Sequence, residues 1–99
     1  MKEKNLMYIC ACKIQFLLPE SSSLKDKRKT VKSILERLRQ RFPLAVAEIN
    51  YLDSLQRGEI GIAAISNNLM HLEKLLAKSI AFVESDHRIE VTEVEKYFY

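Results

Sequence analysis

Two kinds of apolar spacing divide the chain into six segments. In residues 6–18 apolar side chains tend to alternate, and Lys13 and Gln15 fall on the more polar side, which is typical of a β-strand. Residues 44–52 and 60–65 are short apolar runs between turn residues, and residues 89–98 mix apolar and charged positions. Each of these three segments is also predicted to be a strand.

The other two segments repeat their apolar residues with helical spacing. Ser23 is a favourable N-cap for the first helix, Asp26 completes a variant of the capping box, and Pro43 is expected to end the helix before it. A second helix follows the possible asparagine caps Asn67 and Asn68. The first apolar stripe contains Leu24, Val31, Ile34, Leu35, Leu38 and Phe42, and the second contains Leu69, Leu72, Leu75, Leu76, Ile80 and Val83.

The resulting order β-α-β-β-α-β predicts a ferredoxin-like α+β fold. We expect one domain over residues 1–99, with a four-stranded antiparallel sheet in the order 4-1-3-2 and both helices on one face. The opposite face, called the open face below, must then be polar, covered by a partner, or used for binding.

Composition limits the class of protein. No apolar run approaches the roughly twenty residues of a membrane-spanning helix, and the charged segment of residues 1–5 is not followed by a signal-peptide pattern, so we expect a cytoplasmic protein. Cys10 and Cys12 lie two apart in one predicted strand and are interpreted as small buried residues, not as a disulfide or metal site. We expect no cofactor.

Positive charge is concentrated in the first predicted helix. Residues 25–41 contain eight basic and two acidic side chains, a balance of +6, whereas the whole chain carries +3. Helical spacing places five of the basic residues on one side, and Lys27, Arg37 and Arg41 are expected to widen this surface. The predicted nucleic-acid contacts are Lys25, Lys27, Arg28, Lys29, Lys32 and Arg39. The alternative is a solvated helix face.

Other candidate sites are weaker. Ser21, Ser22 and Ser23 could bind a phosphate at the helix N-terminus, but a simple cap explains them equally well. His71 is interpreted as a surface residue and His87 as part of a turn. Glu48 is expected to pair with Lys13 or Arg57. No recognisable catalytic constellation is present, so the protein is not expected to be an enzyme.

Several segments together resemble the YlxP-like family of small bacterial proteins of unknown function. They are residues 18–21, 23–28, 41–42, 46–48, 56–57 and 62–67, and the most specific feature is Ser-Leu-Lys-Asp-Lys-Arg followed by a distant Gln-Arg. Leu55 replaces an aromatic residue expected in the family, and Asn50 replaces a frequent acidic one. The resemblance implies a ferredoxin-like fold in a bacterial cytoplasmic protein. Family genes often lie beside genes for translation initiation and ribosome maturation, which favours an RNA or ribosomal partner.

Three functions are therefore distinguished. The first is a non-enzymatic accessory factor that binds RNA or a ribosomal subunit through the first helix. The second is a protein-interaction module that dimerises through the open face, where Gly61 and Ala63 permit close packing and the third strand has no aromatic residue for base stacking. The third, a regulatory domain for a small molecule, lacks a glycine-rich ligand loop.

Overall fold

A computed structural model describes residues 6–99 and confirms the predicted order of elements. The charged N-terminal segment, residues 1–5, on which the prediction of no signal peptide depends, lies outside the described residues. The elements are β1 (Tyr8–Leu17), α1 (Leu24–Arg41), β2 (Ala45–Asn50), β3 (Arg57–Ser66), α2 (Leu69–Glu84) and β4 (Glu90–Phe98).

The four strands form one sheet in the order β2-β3-β1-β4, which is the predicted order read from the other edge. Every neighbouring pair is antiparallel, and β1 and β3 occupy the centre. In the middle of the sheet Ile14 lies opposite Ile60 on one side and Val94 on the other. The fold is thus the predicted ferredoxin-like α+β arrangement.

The alternation along β1 separates the core from the open face. Cys10, Cys12, Ile14 and Phe16 are buried beneath the helices, whereas Lys13 is exposed on the opposite side. The two cysteines are free thiols, as interpreted from the sequence. Burial raises the pKa of Cys10 and raises the pKa of Cys12 to about 11, so both thiols remain protonated at neutral pH.

Both helices begin at the predicted type of cap. The Ser23 hydroxyl accepts a hydrogen bond from the Asp26 backbone N–H at 3.0 Å, and Asn68 Oδ1 accepts one from the His71 N–H at 3.1 Å. α1 ends with Phe42 as its C-cap, directly before Pro43, as predicted. Within residues 6–99, neither helix is long and apolar enough to cross a bilayer.

Strand β3 begins three residues earlier than the apolar run predicted, because it pairs with β1 as far as Leu17. Gly58 makes this extension possible. A Cβ atom at position 58 would lie 2.5 Å from Cε2 of Phe16, which is itself buried in the core. The aromatic ring therefore occupies the space that a side chain at position 58 would need.

Candidate nucleic-acid interface

Five of the six predicted contact residues share one exposed side of α1. An α-helix turns about 100° per residue, so this set lies opposite the buried stripe of Val31, Ile34 and Leu38. We call this surface the basic face. It consists of Lys25, Arg28, Lys29, Lys32 and Arg39, all of them exposed.

The positive charge of the basic face is largely uncompensated by the residues that the structure describes. Its one ion pair among the described residues joins Lys32 Nζ to Glu36 Oε1 at 4.0 Å, and both side chains are more than half exposed. Such a pair contributes little in water. Arg39 is held in place by a 3.1 Å hydrogen bond from Nη2 to the backbone carbonyl of Val46 in β2. The basic face therefore reaches from the start of α1 to the edge of the sheet.

Arg37 and Arg41 do not widen the basic face, contrary to the sequence-based expectation. The Arg41 guanidinium lies 5.0 Å from the ring centre of Phe82 in α2. Arg37 is close enough to Asp86, which follows α2, to help lower the pKa of its carboxyl group. Both arginines thus point towards the second helix, because they lie on the opposite flank of α1 from Arg28 and Arg39.

Lys27 was wrongly assigned to the binding surface. Its side chain is completely buried, and its Nζ atom lies 2.8 Å from Glu48 Oε2 and 2.7 Å from the backbone carbonyl oxygen of Tyr51. The cause is helical phase. Lys27 precedes Val31 by four residues and Ile34 by seven, so it belongs to the core-facing stripe. The spacing itself was a signal that could have identified it.

Glu48 therefore has a different partner from the two predicted for it. It lies on the helix-covered side of β2, opposite Ile60, whereas Lys13 and Arg57 belong to the open face. Lys13 instead approaches the ring of Tyr97, with 5.8 Å between Nζ and the ring centre. The Arg57 guanidinium stacks on Tyr51 at 4.1 Å.

The β2–β3 connection contacts both α1 and the segment that precedes it. Tyr51 has a left-handed backbone, with φ 59°, and its N–H donates to Asn50 Oδ1. Gln56 Nε2 donates to the carbonyl oxygens of Pro19 and Ser21 at 3.4 and 3.3 Å. The Gln56 bonds join this connection to the segment before α1, and the Lys27 bonds join it to α1 itself.

A groove of about 410 Å³ lies beside the N-terminal half of α1. Lys29 contributes to one wall, and His87 and Arg88 of the α2–β4 connection contribute to the other. Arg88 binds Asp86 through a 2.6 Å ion pair. The nearby serines take part in capping, because Ser22 Oγ donates to Asp26 and Ser23 accepts from it. His71 is exposed, as expected, and lies outside this groove.

A second cavity, of about 550 Å³, lies on the open face. Small side chains of β2 and β3 and two tyrosines near the C-terminus surround it. In the part of the chain that the structure describes, no group of three histidine, cysteine or carboxylate side chains is arranged to hold a metal ion.

Comparison with known proteins identifies relatives of unknown function. Residues 9–96 match the family described as "Protein of unknown function (DUF503)". The uncharacterized protein YlxP of Bacillus subtilis is 39% identical over 83 residues, which cover 84% of this chain and 86% of that protein. A Bacillus cereus crystal structure, provisionally named an antibiotic biosynthesis monooxygenase, aligns with 94% of this chain and 90% of its own, at 10% identity and a TM-score of 0.41.

Proposed function

Because the chain belongs to the DUF503 family, whose function is unknown, we propose a function from its surface: it is a non-enzymatic accessory factor that binds RNA, free or within a ribosomal subunit. The basic face of α1 is the binding surface. The observation that supports this proposal is the set of five exposed cations with Glu36 as the one carboxylate paired to it among residues 6–99.

The arrangement suits a polyanion better than a single small anion. Lys25 and Arg39 are fourteen residues apart on α1, which is about 21 Å at 1.5 Å per residue. That length corresponds to about six phosphates along one strand of a duplex. Neutralising these phosphates releases condensed counterions, and the same contact relieves the repulsion among the cations of α1.

Recognition through the basic face would read the backbone and not the bases. Lysine and arginine contacts to phosphates position a nucleic acid without sequence information. β3, at the centre of the sheet, presents Gly61 and Ala63 where a base-reading sheet presents aromatic rings. We therefore expect weak sequence preference and selection by RNA shape, in the cytoplasm, where ribosomal RNA is found.

The second candidate function is a protein-interaction module that uses the open face. The observation favouring it is the apolar cavity of about 550 Å³ on that face. The two functions use opposite sides of the molecule and are compatible with each other.

Charge reversal on α1 tests the RNA proposal, with α2 as the matched control. Arg28→Glu/Lys32→Glu and Lys74→Glu/Lys78→Glu change two exposed cations with the same four-residue spacing, and both lower the net charge of +3 by four units. Binding is measured by fluorescence anisotropy with a labelled structured RNA and by cosedimentation with isolated ribosomal subunits. We expect the α1 variant to bind at least tenfold more weakly, and the α2 variant to bind like the wild type.

Two results would refute the proposal. One is a wild-type protein that binds neither RNA nor subunits at low salt. The other is an equal loss of binding in both variants, which would show that net charge matters and the basic face does not. Circular dichroism establishes beforehand that both variants are folded.

A further inference from the structure

The open face has two halves of opposite shape. The middle of the β2–β3 half carries four very small side chains, with Ile49 and Ile65 at its two ends, whereas the β4 side ends in two aromatic rings. The small residues are Ala45, Ala47, Gly61 and Ala63, and the rings are Tyr97 and Tyr99. All of them line the cavity of about 550 Å³, so a hollow and two projecting rings lie side by side.

The open face is apolar at the end of the sheet where Ile9, Ile65 and Tyr99 lie. Tyr99 is 73% exposed and Ile65 62% exposed, and Ile9, the cross-strand neighbour of Ile65, also belongs to the open face. Ile49 adds a further exposed side chain next to Gly61. A contiguous apolar surface of this kind on a small domain usually marks a contact with another macromolecule.

The open face also contains a carboxylate that has no cation partner among residues 6–99. Glu59 is only 7% exposed, and it makes no ion pair with any residue of the described range 6–99. If a partner covered the open face, this carboxylate would lose its remaining contact with water and would need a cation within reach. On the neighbouring strand, Lys13 is exposed and lies opposite Gly61, two residues from Glu59.

We infer that the open face is the interface of a homodimer, with Tyr97 and Tyr99 of each copy packed into the small-residue half of the other. A twofold interface needs a hollow and its complement on the same surface, and the open face has both. A twofold axis running along the strands between β1 and β3 places β1 of one copy over β3 of the other. Lys13 of one copy then lies over Gly61 of the other, within reach of the unpaired Glu59.

The size of the sheet agrees with this assembly. Strands of six to ten residues, about 3.4 Å per residue and about 4.8 Å apart, give the four-stranded face a flat area of about 600 Å². Projecting side chains increase the accessible area above this flat value. The result is close to the roughly 800 Å² that each partner contributes to a standard stable interface.

The dimer would leave both basic faces free. The helices cover the side of the sheet opposite the open face, so the two α1 helices would lie on the two outer surfaces of the assembly. Two basic faces on one particle would raise the effective affinity for a long polyanion. The interface itself does not depend on the RNA proposal, because it uses different residues.

Sedimentation velocity in the micromolar range tests the dimer with a matched pair of variants. Ala47→Glu places a carboxylate in the hollow, and Ala77→Glu places the same group on the exposed surface of α2. We expect the wild type and the α2 variant to be dimers, and Ala47→Glu to raise the dimer dissociation constant at least tenfold. Circular dichroism checks that both variants are folded.

A charge exchange tests the proposed contact independently. Lys13→Glu should weaken the dimer because it places a carboxylate against Glu59, and Lys13→Glu/Glu59→Lys should restore it. The inference is overturned if the wild type is a monomer throughout the micromolar range, or if Ala47→Glu dimerises as well as Ala77→Glu. A monomer that instead binds an unrelated protein through the open face would also overturn it.

Discussion

Lys27 and Glu48 form an ion pair that joins the first turns of α1 to the edge strand β2. Their side chains are 0% and 19% exposed, and the same ammonium group also donates to the carbonyl oxygen of Tyr51. The buried ammonium group therefore has two hydrogen-bond acceptors, and the carbonyl group of Tyr51, in the left-handed turn that follows β2, has a donor. It also explains why a lysine in a very basic helix does not contribute to the surface charge.

Replacing Lys27 should reveal this structural role. Lys27→Met leaves Glu48 and the Tyr51 carbonyl without their donor, and we expect it to lower the free energy of unfolding by about 2–4 kcal/mol. The double variant Lys27→Met/Glu48→Leu should lose less, because no unpaired charge remains. Urea denaturation measures both.

The control for this prediction is Lys29→Met, which changes an exposed lysine of the same helix. Its effect should stay within about 0.5 kcal/mol of the wild type. If Lys27→Met is no more destabilised than this control, the ion pair does not hold α1 to the sheet in solution.

The close approach of Gly58 and Phe16 makes a second prediction. Gly58→Ala places a Cβ atom against the buried ring, and we expect a loss of about 1–3 kcal/mol. Gly61→Ala is the control, because its nearest neighbour, Ile49 Cγ2, would be 3.2 Å away and is part of an exposed side chain. In a Phe16→Leu background, the penalty of Gly58→Ala should shrink. An unchanged penalty there would locate the strain elsewhere.

Local patterns were sufficient to predict the fold. The alternation around Lys13 predicted both faces of β1, and Ser23 and Pro43 predicted the two ends of α1. These signals depend on residues close in sequence, whose geometry is set by the strand and helix repeats. The start of β3 was missed because it is determined by pairing with β1 and by the space at Gly58, both of which are tertiary effects.

The candidate site was predicted only in part. Helical spacing identified the basic face. The charge of Lys27 is typical of a surface residue, but its position in the helical repeat places it with the buried residues. The partner of Glu48 depends on which side of β2 faces the helices, and a single sequence does not specify this for a short edge strand. The hydrogen bond from Arg39 to Val46 likewise requires the packing of α1 against β2.

The ion pair of Asp86 and Arg88 makes the stability sensitive to acid. Hydrogen bonds from Arg88 hold the pKa of Asp86 below its ordinary value of about 3.9. Between the lowered pKa and the ordinary pKa, the folded protein binds fewer protons than the unfolded chain. The stabilisation by the ion pair is therefore complete above the ordinary pKa, and it is lost as the pH falls through the lowered pKa. Asp86→Asn should therefore show a smaller loss of stability on acidification, measured by urea midpoints.

Asp53→Asn is the control for this acid prediction, because Asp53 is exposed and forms no ion pair within residues 6–99. Its urea midpoints should follow those of the wild type as the pH falls. A wild type and an Asp86→Asn variant with the same acid dependence would contradict the assignment to Asp86.

The buried thiols should be unreactive in the folded protein. Burial raises the pKa of Cys12 to about 11, and only the thiolate attacks an alkylating reagent. Iodoacetamide at mildly alkaline pH should leave Cys10 and Cys12 unmodified until urea unfolds the protein, as followed by mass spectrometry. Ala77→Cys, on the exposed surface of α2, serves as the positive control and should be labelled without urea. Rapid labelling of the native cysteines would show that β1 opens locally.

The salt dependence of RNA binding separates true phosphate contacts from general attraction. Each contact to a single strand contributes about −0.7 to the slope of log K against log salt. If Lys25, Arg28, Lys29 and Lys32 each contact one phosphate, the slope is near −3. Arg28→Glu/Lys32→Glu removes two of these four contacts and should reduce the magnitude of the slope by about 1.4. Lys74→Glu/Lys78→Glu changes the net charge equally, but it should keep the wild-type slope because neither lysine lies on α1. If the slope is the same in all three proteins, the cations of α1 do not touch the phosphates, and the basic face is a solvated helix surface.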